Sequence, residues 1–334
     1  MSKPSRHPEP SASAVPRGAA ASTRKAGREA LRIAIALLLA VIFFPSASAK
    51  SETRVVDATG AEVAVPERGP VVSVGGSITE IAYALGAAGR IVAVDATSLY
   101  PPEAQGKANV GYMRRLAAEP ILALEPALIL AVTDAGPVSV LDQLRAAGVA
   151  VVLVPDEPSI EGVVRKVEIV SKALGAEREG KRLAARVLSE FEALTAAVGT
   201  TALRPRVLFL LSIGQGGAPL AGGRETSADG IIRLAGGANA VDAFEGYRPL
   251  SPEAAVAARP EIILVTERSL DLLGGTEGLL ALPEVAVTPA GQARRILSLD
   301  GLLLLGFGPR TGQAVSWLAR ELHPDLPLPQ VPGD

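Results

Sequence analysis

The chain has no cysteine among its 334 residues. It can therefore build no disulfide framework, no thiol nucleophile and no thiolate metal site, and it cannot carry the lipid-modified cysteine of a bacterial lipoprotein. Histidine is almost as scarce, with two in the whole sequence. Clusters for zinc, copper or manganese are thus hardly available. A Ser-His-Asp arrangement would have to recruit His323, beside Pro324, and no nucleophile elbow accompanies it. His323 is accordingly expected at the surface. The stretch Gly214-Gln215-Gly216-Gly217-Ala218-Pro219 lacks the third glycine of a dinucleotide fingerprint, and no Walker lysine is present. An exported hydrolase or dehydrogenase is left as a distant alternative resting on fold alone. Aromatic side chains make up 3% of the chain, four of them tyrosines, so each tyrosine needs its own explanation.

The first fifty residues read as an export signal. Arg24, Lys25, Arg28 and Arg32 precede an apolar run over residues 33–44, Pro45 breaks it, and Ala47-Ser48-Ala49 offers the small residues of a cleavage site before Lys50. The run is short of the ~20 residues a membrane helix needs. Cleavage after Ala49 removes seven basic and two acidic side chains, moving the formal charge from −2 to −7 (26 basic against 33 acidic). An acidic product with no basic run argues against nucleic acid as a partner. The expected location is a periplasm, free of a lipid anchor.

Beyond the signal, residues 54–57 and 62–65 alternate and are joined by a turn at residues 58–61, which predicts a hairpin. A strand–helix rhythm follows, with strands at residues 71–74, 91–94, 128–132 and 149–154 and helices between them. Ser77 with Glu80 three residues later suggests a capping box. Residues 159–198 contain no proline and carry apolar residues at helical spacing, so they predict two helical pieces meeting near Gly175. The rhythm then restarts at residues 207–211. Strands separated by helices imply an α/β fold with parallel sheets. The segments 116–126 and 250–260 repeat one pattern: a short helix with a glutamate in its first turn, a proline, then a buried strand. Glu119 and Glu253 compensate the helix dipole there. Their matched placement also puts one acidic knob on each half, able to grip a basic partner symmetrically.

Three tyrosines fall in connections expected to face one cleft. Tyr100 lies in Thr97-Ser98-Leu99-Tyr100-Pro101-Pro102, at the carboxyl end of a parallel strand, where α/β folds bind ligands. Tyr112 precedes Arg114, and Tyr247 precedes Arg248. Tyr83 sits within a helical stretch and reads as packing.

On Gly76-Ser77-Ile78-Thr79-Glu80, the Thr97–Pro101 loop, Val110-Gly111-Tyr112-Met113-Arg114 and Gly246-Tyr247-Arg248-Pro249-Leu250-Ser251, the chain resembles the periplasmic haem-binding proteins of bacterial haem-uptake ABC transporters. The resemblance covers residues 54–322. It implies a class III periplasmic binding protein: two Rossmann-like α/β lobes joined by a long rigid helical backbone. The boundaries expected are a signal at 1–49, an N-terminal lobe at 50–157, a connector at 158–199, a C-terminal lobe at 200–325 and a tail at 326–334. The resemblance further implies one haem b, carried as Fe(III), with Tyr100 as the axial ligand of the iron. Tyrosinate is a known haem ligand, and because a free phenol ionises near pH 10 the metal and a nearby arginine must stabilise the anion. Arg248 is the expected charge partner, followed by Arg114 and Arg224, with Tyr112 and Tyr247 lining the cleft. Glu119 and Glu253 match the residues that dock each lobe onto an inner-membrane permease and its ATPase. The carrier is expected to be a monomer. Ferric siderophores or cobalamin are the alternative cargoes within the same fold.

Overall fold

The computed structural model describes residues 52–213 and 218–331. The expected export signal and the glycine stretch 214–217 lie outside them. The chain opens with an antiparallel hairpin of β1 (Glu52–Val56) and β2 (Glu62–Pro66). Asp57 closes its turn: Oδ1 accepts from the backbone N–H groups of Thr59 at 2.8 Å and Ala61 at 3.2 Å, the short-side-chain mimicry that makes Asp a turn residue.

A first sheet contains β3 (Val71–Val74), β4 (Ile91–Val94), β5 (Ala108–Asn109), β6 (Leu128–Val132) and β7 (Ala150–Val154), in the order β5-β4-β3-β6-β7. Every pairing is parallel. β3 and β6 are buried at every position, as expected of strands covered on both faces.

A second sheet contains β8 (Arg206–Ile213), β9 (Pro219–Gly222), β10 (Ala238–Asn239), β11 (Tyr247–Pro249), β12 (Ile262–Thr266) and β13 (Ile296–Leu299). Its order is β11-β9-β8-β12-β13, with β10 also against β8. Here the expectation of parallel pairing needs correction, because β9 runs antiparallel to β8 and β11 antiparallel to β9. Only five residues separate β8 from β9, whereas a parallel crossover needs a dozen or more.

Two helices, Ile160–Leu174 and Glu177–Val198, join the sheets. Gly175 between them has φ 67°, a left-handed helix end that glycine adopts without strain. Val167, Val170 and Leu174 pack into the core of the first sheet. Val163 and, from the second helix, Val187, Phe191 and Leu194 pack into that of the second. The helical pair thus takes part in both cores.

The repeat seen in sequence is also present in backbone form. The helices Ala118–Leu122 and Pro252–Ala258 are each followed by a left-handed residue, Glu125 (φ 47°) and Arg259 (φ 44°), directly before a proline. Proline disfavours the right-handed helical conformation in the residue before it, and each chain then enters the fourth strand of its sheet, β6 or β12.

Two further expectations are corrected. Ser77 is no N-cap: the helix begins at Gly76 after Gly75, without a side-chain cap, and the Glu80 carboxylate is taken by Arg310. His323 is buried, its Nε2 3.3 Å from the carbonyl oxygen of Gly236. Beyond it, Leu326, Leu328 and Val331 pack on the second core.

Candidate functional site

The loop carrying Tyr100 is fixed from beneath by one buried carboxylate. Asp95, at the end of β4, accepts through Oδ1 from Gly75 N–H at 2.9 Å and Ser98 Oγ at 2.8 Å. Through Oδ2 it accepts from Thr97 N–H at 2.9 Å and Thr97 Oγ1 at 2.7 Å. Ser98 continues inward through Thr79 to Ser73 by hydroxyl contacts of 2.7 Å each. Burying so many polar groups costs little here because each finds a partner. Glycine is required beside this network: Gly75 has φ 117°, and a Cβ on Gly76 would meet the Thr97 carbonyl oxygen at 2.5 Å.

Ser98 is buried, while Leu99 and Tyr100 emerge, Tyr100 with 41% of its surface exposed. The Tyr100–Pro101 peptide is cis, and residues Pro102–Gly106 form a 3₁₀ turn. Tyr100 lines a cleft of about 500 Å³ together with Glu80, Tyr83, Glu103, Arg186 and Arg310. The guanidinium carbon of Arg310 stands 3.5 Å from the centroid of the Tyr100 ring. Arg310 Nε donates to Glu80 Oε2 at 3.1 Å, and Nη2 pairs with Oε1. Burial raises the Glu80 pKa, against the opposing hydrogen bond and charge of Arg310. Tyr83 also belongs to this wall; its hydroxyl is buried without a hydrogen-bond partner.

The other expected residues form separate groups. Arg114 donates to the Tyr112 hydroxyl at 2.7 Å and to Asp134 Oδ2 at 2.7 Å. Burial works against its charge, but these contacts outweigh it and raise its pKa. Tyr247 lies in edge strand β11, not in a loop, with its ring edge-on to Phe209 at 6.3 Å. Burial raises its pKa, opposed by hydrogen bonds from Ala228 and Thr226 and by the charge of Arg114. Arg224 pairs with Glu245 at 2.9 Å and donates to the Asp242 carbonyl. Arg248 lies over the Phe244 ring at 5.5 Å. Glu119 and Glu253 are exposed in the first turns of their helices, and the Glu253 pKa is lowered by its own backbone N–H and then by Ser251.

Sequence reasoning passed over Arg310 and Lys166, and read Glu80 only as part of a capping box. Arg310 stands alone between Pro309 and the helix Thr311–Leu322, with no periodic neighbour to mark it. Lys166 sits on the apolar face of its helix, where its buried Nζ reaches Asp156 Oδ1 at 2.8 Å and Ser77 Oγ at 3.0 Å. A charged residue at a position that the 3.6-residue period assigns to the core was the available signal.

Residues 71–302 match the family described as periplasmic binding protein. Among solved structures, the apo form of the periplasmic haem-binding protein RhuT from Roseiflexus sp. RS-1 is 43% identical, with a TM-score of 0.74, covering 77% of this chain and 98% of that one. An uncharacterised ABC transporter substrate-binding lipoprotein of Bacillus subtilis, YvrC, is 26% identical over 90% of this chain and 98% of its own length. A vitamin B12-binding protein of Photorhabdus laumondii is 28% identical over 59% of this chain and 70% of its own.

Proposed function

Because this chain belongs to the periplasmic binding protein family, we propose that it captures one ferric haem b and delivers it to an inner-membrane ABC permease and its ATPase. A family of binding proteins, not of enzymes, supplies the premise; the cargo rests on the site. The observation that carries the reading is Tyr100, the exposed phenol that a rigid, hydroxyl-locked loop presents at the carboxyl end of a parallel sheet, in a chain 43% identical to a haem-binding protein. Ligand sites of open α/β sheets lie at such strand ends, and phenolate oxygen is an established axial donor for haem iron. Tyr112 and Tyr247 offer apolar rings to the porphyrin. Arg114, Arg224 and Arg248 are the candidates for its propionates, since guanidinium pairs with carboxylate through two parallel donors. Glu119 and Glu253 would meet basic residues of the permease. In this proposal the carrier acts in the periplasm as a monomer without a lipid anchor, the chain having no cysteine to bear one.

The test is an absorption titration of the mature protein with ferric haem, beside Tyr100→Ala. A saturable Soret change at one equivalent, lost or strongly weakened in the variant, is the expected result. Absence of a saturable change in the wild type overturns the haem assignment. A corrinoid is the second reading, favoured by the vitamin B12-binding relative, and the same titration with cyanocobalamin decides it.

A further inference from the structure

We propose that Tyr112, and not Arg114, holds a propionate of the cargo, through a phenol O–H aimed by the Arg114–Asp134 pair. The inference rests on the haem reading and names which side chain of this loop touches the porphyrin carboxylate. Tyr112 follows β5, the neighbour of β4 in the first sheet, so its loop stands beside the one that carries Tyr100. The two are tied together. Ala96 N–H donates to the Gly111 carbonyl oxygen at 2.8 Å, and Thr97 Oγ1 meets Met113 Sδ at 4.0 Å. Behind Tyr112, Met113 is buried, and Leu116 N–H to the Gly136 oxygen and Gly136 N–H to the Met113 oxygen, 2.9 Å each, fix the backbone. The charge of Arg114 reaches Tyr247 on β11, so this loop faces the second sheet.

Arg114 gives one N–H to the Tyr112 hydroxyl oxygen and another to Asp134 Oδ2, at 2.7 Å each. Its charge is thereby matched by a carboxylate already in place. A propionate drawn to Arg114 would lie beside Asp134, and like charges set side by side cancel much of the attraction. Tyr112 is in the opposite position. Its oxygen accepts from the guanidinium, which leaves its own O–H free to donate. Accepting a charged hydrogen bond polarises that O–H, and linked hydrogen bonds strengthen one another. Tyr112 is 42% exposed, so cargo can reach it. A carboxylate is the acceptor it would hold most strongly, since bonds to an ionised partner are about twice as strong as neutral ones. Arg114 and Asp134 are then positioning residues: one turns the phenol, the other keeps the guanidinium in place.

The mature protein is titrated with ferric haem and with its dimethyl ester in the same detergent, and the ratio of the two Kd values is read. Tyr112→Phe keeps the ring and removes only the hydroxyl, with circular dichroism checking the fold. The wild type is expected to prefer the free acid. That preference should fall about tenfold in Tyr112→Phe, roughly the worth of a hydrogen bond to a charged group. Arg114→Met leaves the phenol unheld and should lose part of the preference, whereas Arg114→Lys keeps a donor for the phenol and should lose less. Adding Arg114→Met to Tyr112→Phe should leave the ratio within about twofold, because both changes act through one contact. An unchanged ratio in Tyr112→Phe, or a further severalfold fall when Arg114→Met is added, overturns the proposal, because the guanidinium itself then holds the propionate. A wild type that binds haem without preferring the free acid also overturns it and leaves the haem reading standing. A wild type with no saturable haem binding overturns that reading, and this proposal with it.

Discussion

Lys166 donates from its buried ammonium to the carbonyl oxygen of Gly306, 140 positions along the chain, at 3.3 Å. The same nitrogen reaches Ser77 Oγ and Asp156 Oδ1. One side chain thus joins the connecting helix to the first turn of the helix Gly76–Ala84 and to the segment leading to Arg310. Replacing it with methionine keeps the stem but leaves the Ser77 hydroxyl and the Gly306 carbonyl short of a donor in a dry place. Asp156, partly exposed, can turn to water. The expected loss is about 2 kcal/mol, between one lost buried hydrogen bond and a broken buried ion pair, measured by urea denaturation.

That linkage bears on motion. The helices Ile160–Leu174 and Glu177–Val198 share in both cores, and Lys166 and the Arg310–Glu80 pair fasten the same junction. Hinge closure needs a few residues free to absorb large backbone changes, and this junction is occupied by packed helices. Solution scattering of apo and haem-loaded protein should therefore give radii of gyration that agree within about 1 Å, set against the ~20 Å expected for a globular chain of this length. A marked compaction on loading would show that the helical pair bends.

Much of this architecture was legible in the sequence. Residues 71–74, 91–94 and 128–132 are strands at the bounds their apolar runs suggest, and the connector divides at Gly175, because hydrophobic period and glycine punctuation are local signals. The ribbon of β9 and β11 was not legible. Its strands are four and three residues long, too short to show a period, and their pairing is decided by tertiary contacts. At the candidate site, the loop that carries Tyr100 was legible, but the arginine lying on its ring was not. Arg310 is 210 positions away, and only folding lays it on the ring. His323 misled for a similar reason: a polar residue before a proline-rich end looks exposed until Leu326 and Leu328 are seen returning over the core.

Glu80 gives the stability a pH dependence of unusual sign. Burial, the largest cause, raises its pKa, Asp300 adds to the rise, and Arg310 and Lys166 oppose it. Between its ordinary value and the raised folded value, the native state holds more protons than the unfolded chain. Stability attributable to this group therefore falls as pH rises through that window, the reverse of a salt-bridged carboxylate with a lowered pKa. Denaturant unfolding of wild type and Glu80→Gln across pH 4 to 7 should show their stability difference changing in that direction. A difference that changes the opposite way would mean that the Arg310 pairing outweighs burial.

Glu119 and Glu253 stand exposed in the first turns of helices that repeat one another, each ahead of a left-handed residue, a proline and the fourth strand of its sheet. Neither is among the residues lining the Tyr100 cleft. Reversing either charge, Glu119→Lys or Glu253→Lys, should leave haem affinity within about twofold, since neither would touch the ligand. Transport into vesicles carrying the permease and ATPase should fall by about tenfold for each, chiefly through slower encounter, because rim charges act on approach and register more than on tight contact. Raising the salt concentration should narrow the gap between variant and wild type as the charges are screened. If only one of the two reversals slows transport, the matched placement does not correspond to matched docking. If haem affinity falls with transport, these glutamates act through the fold and not at a permease surface.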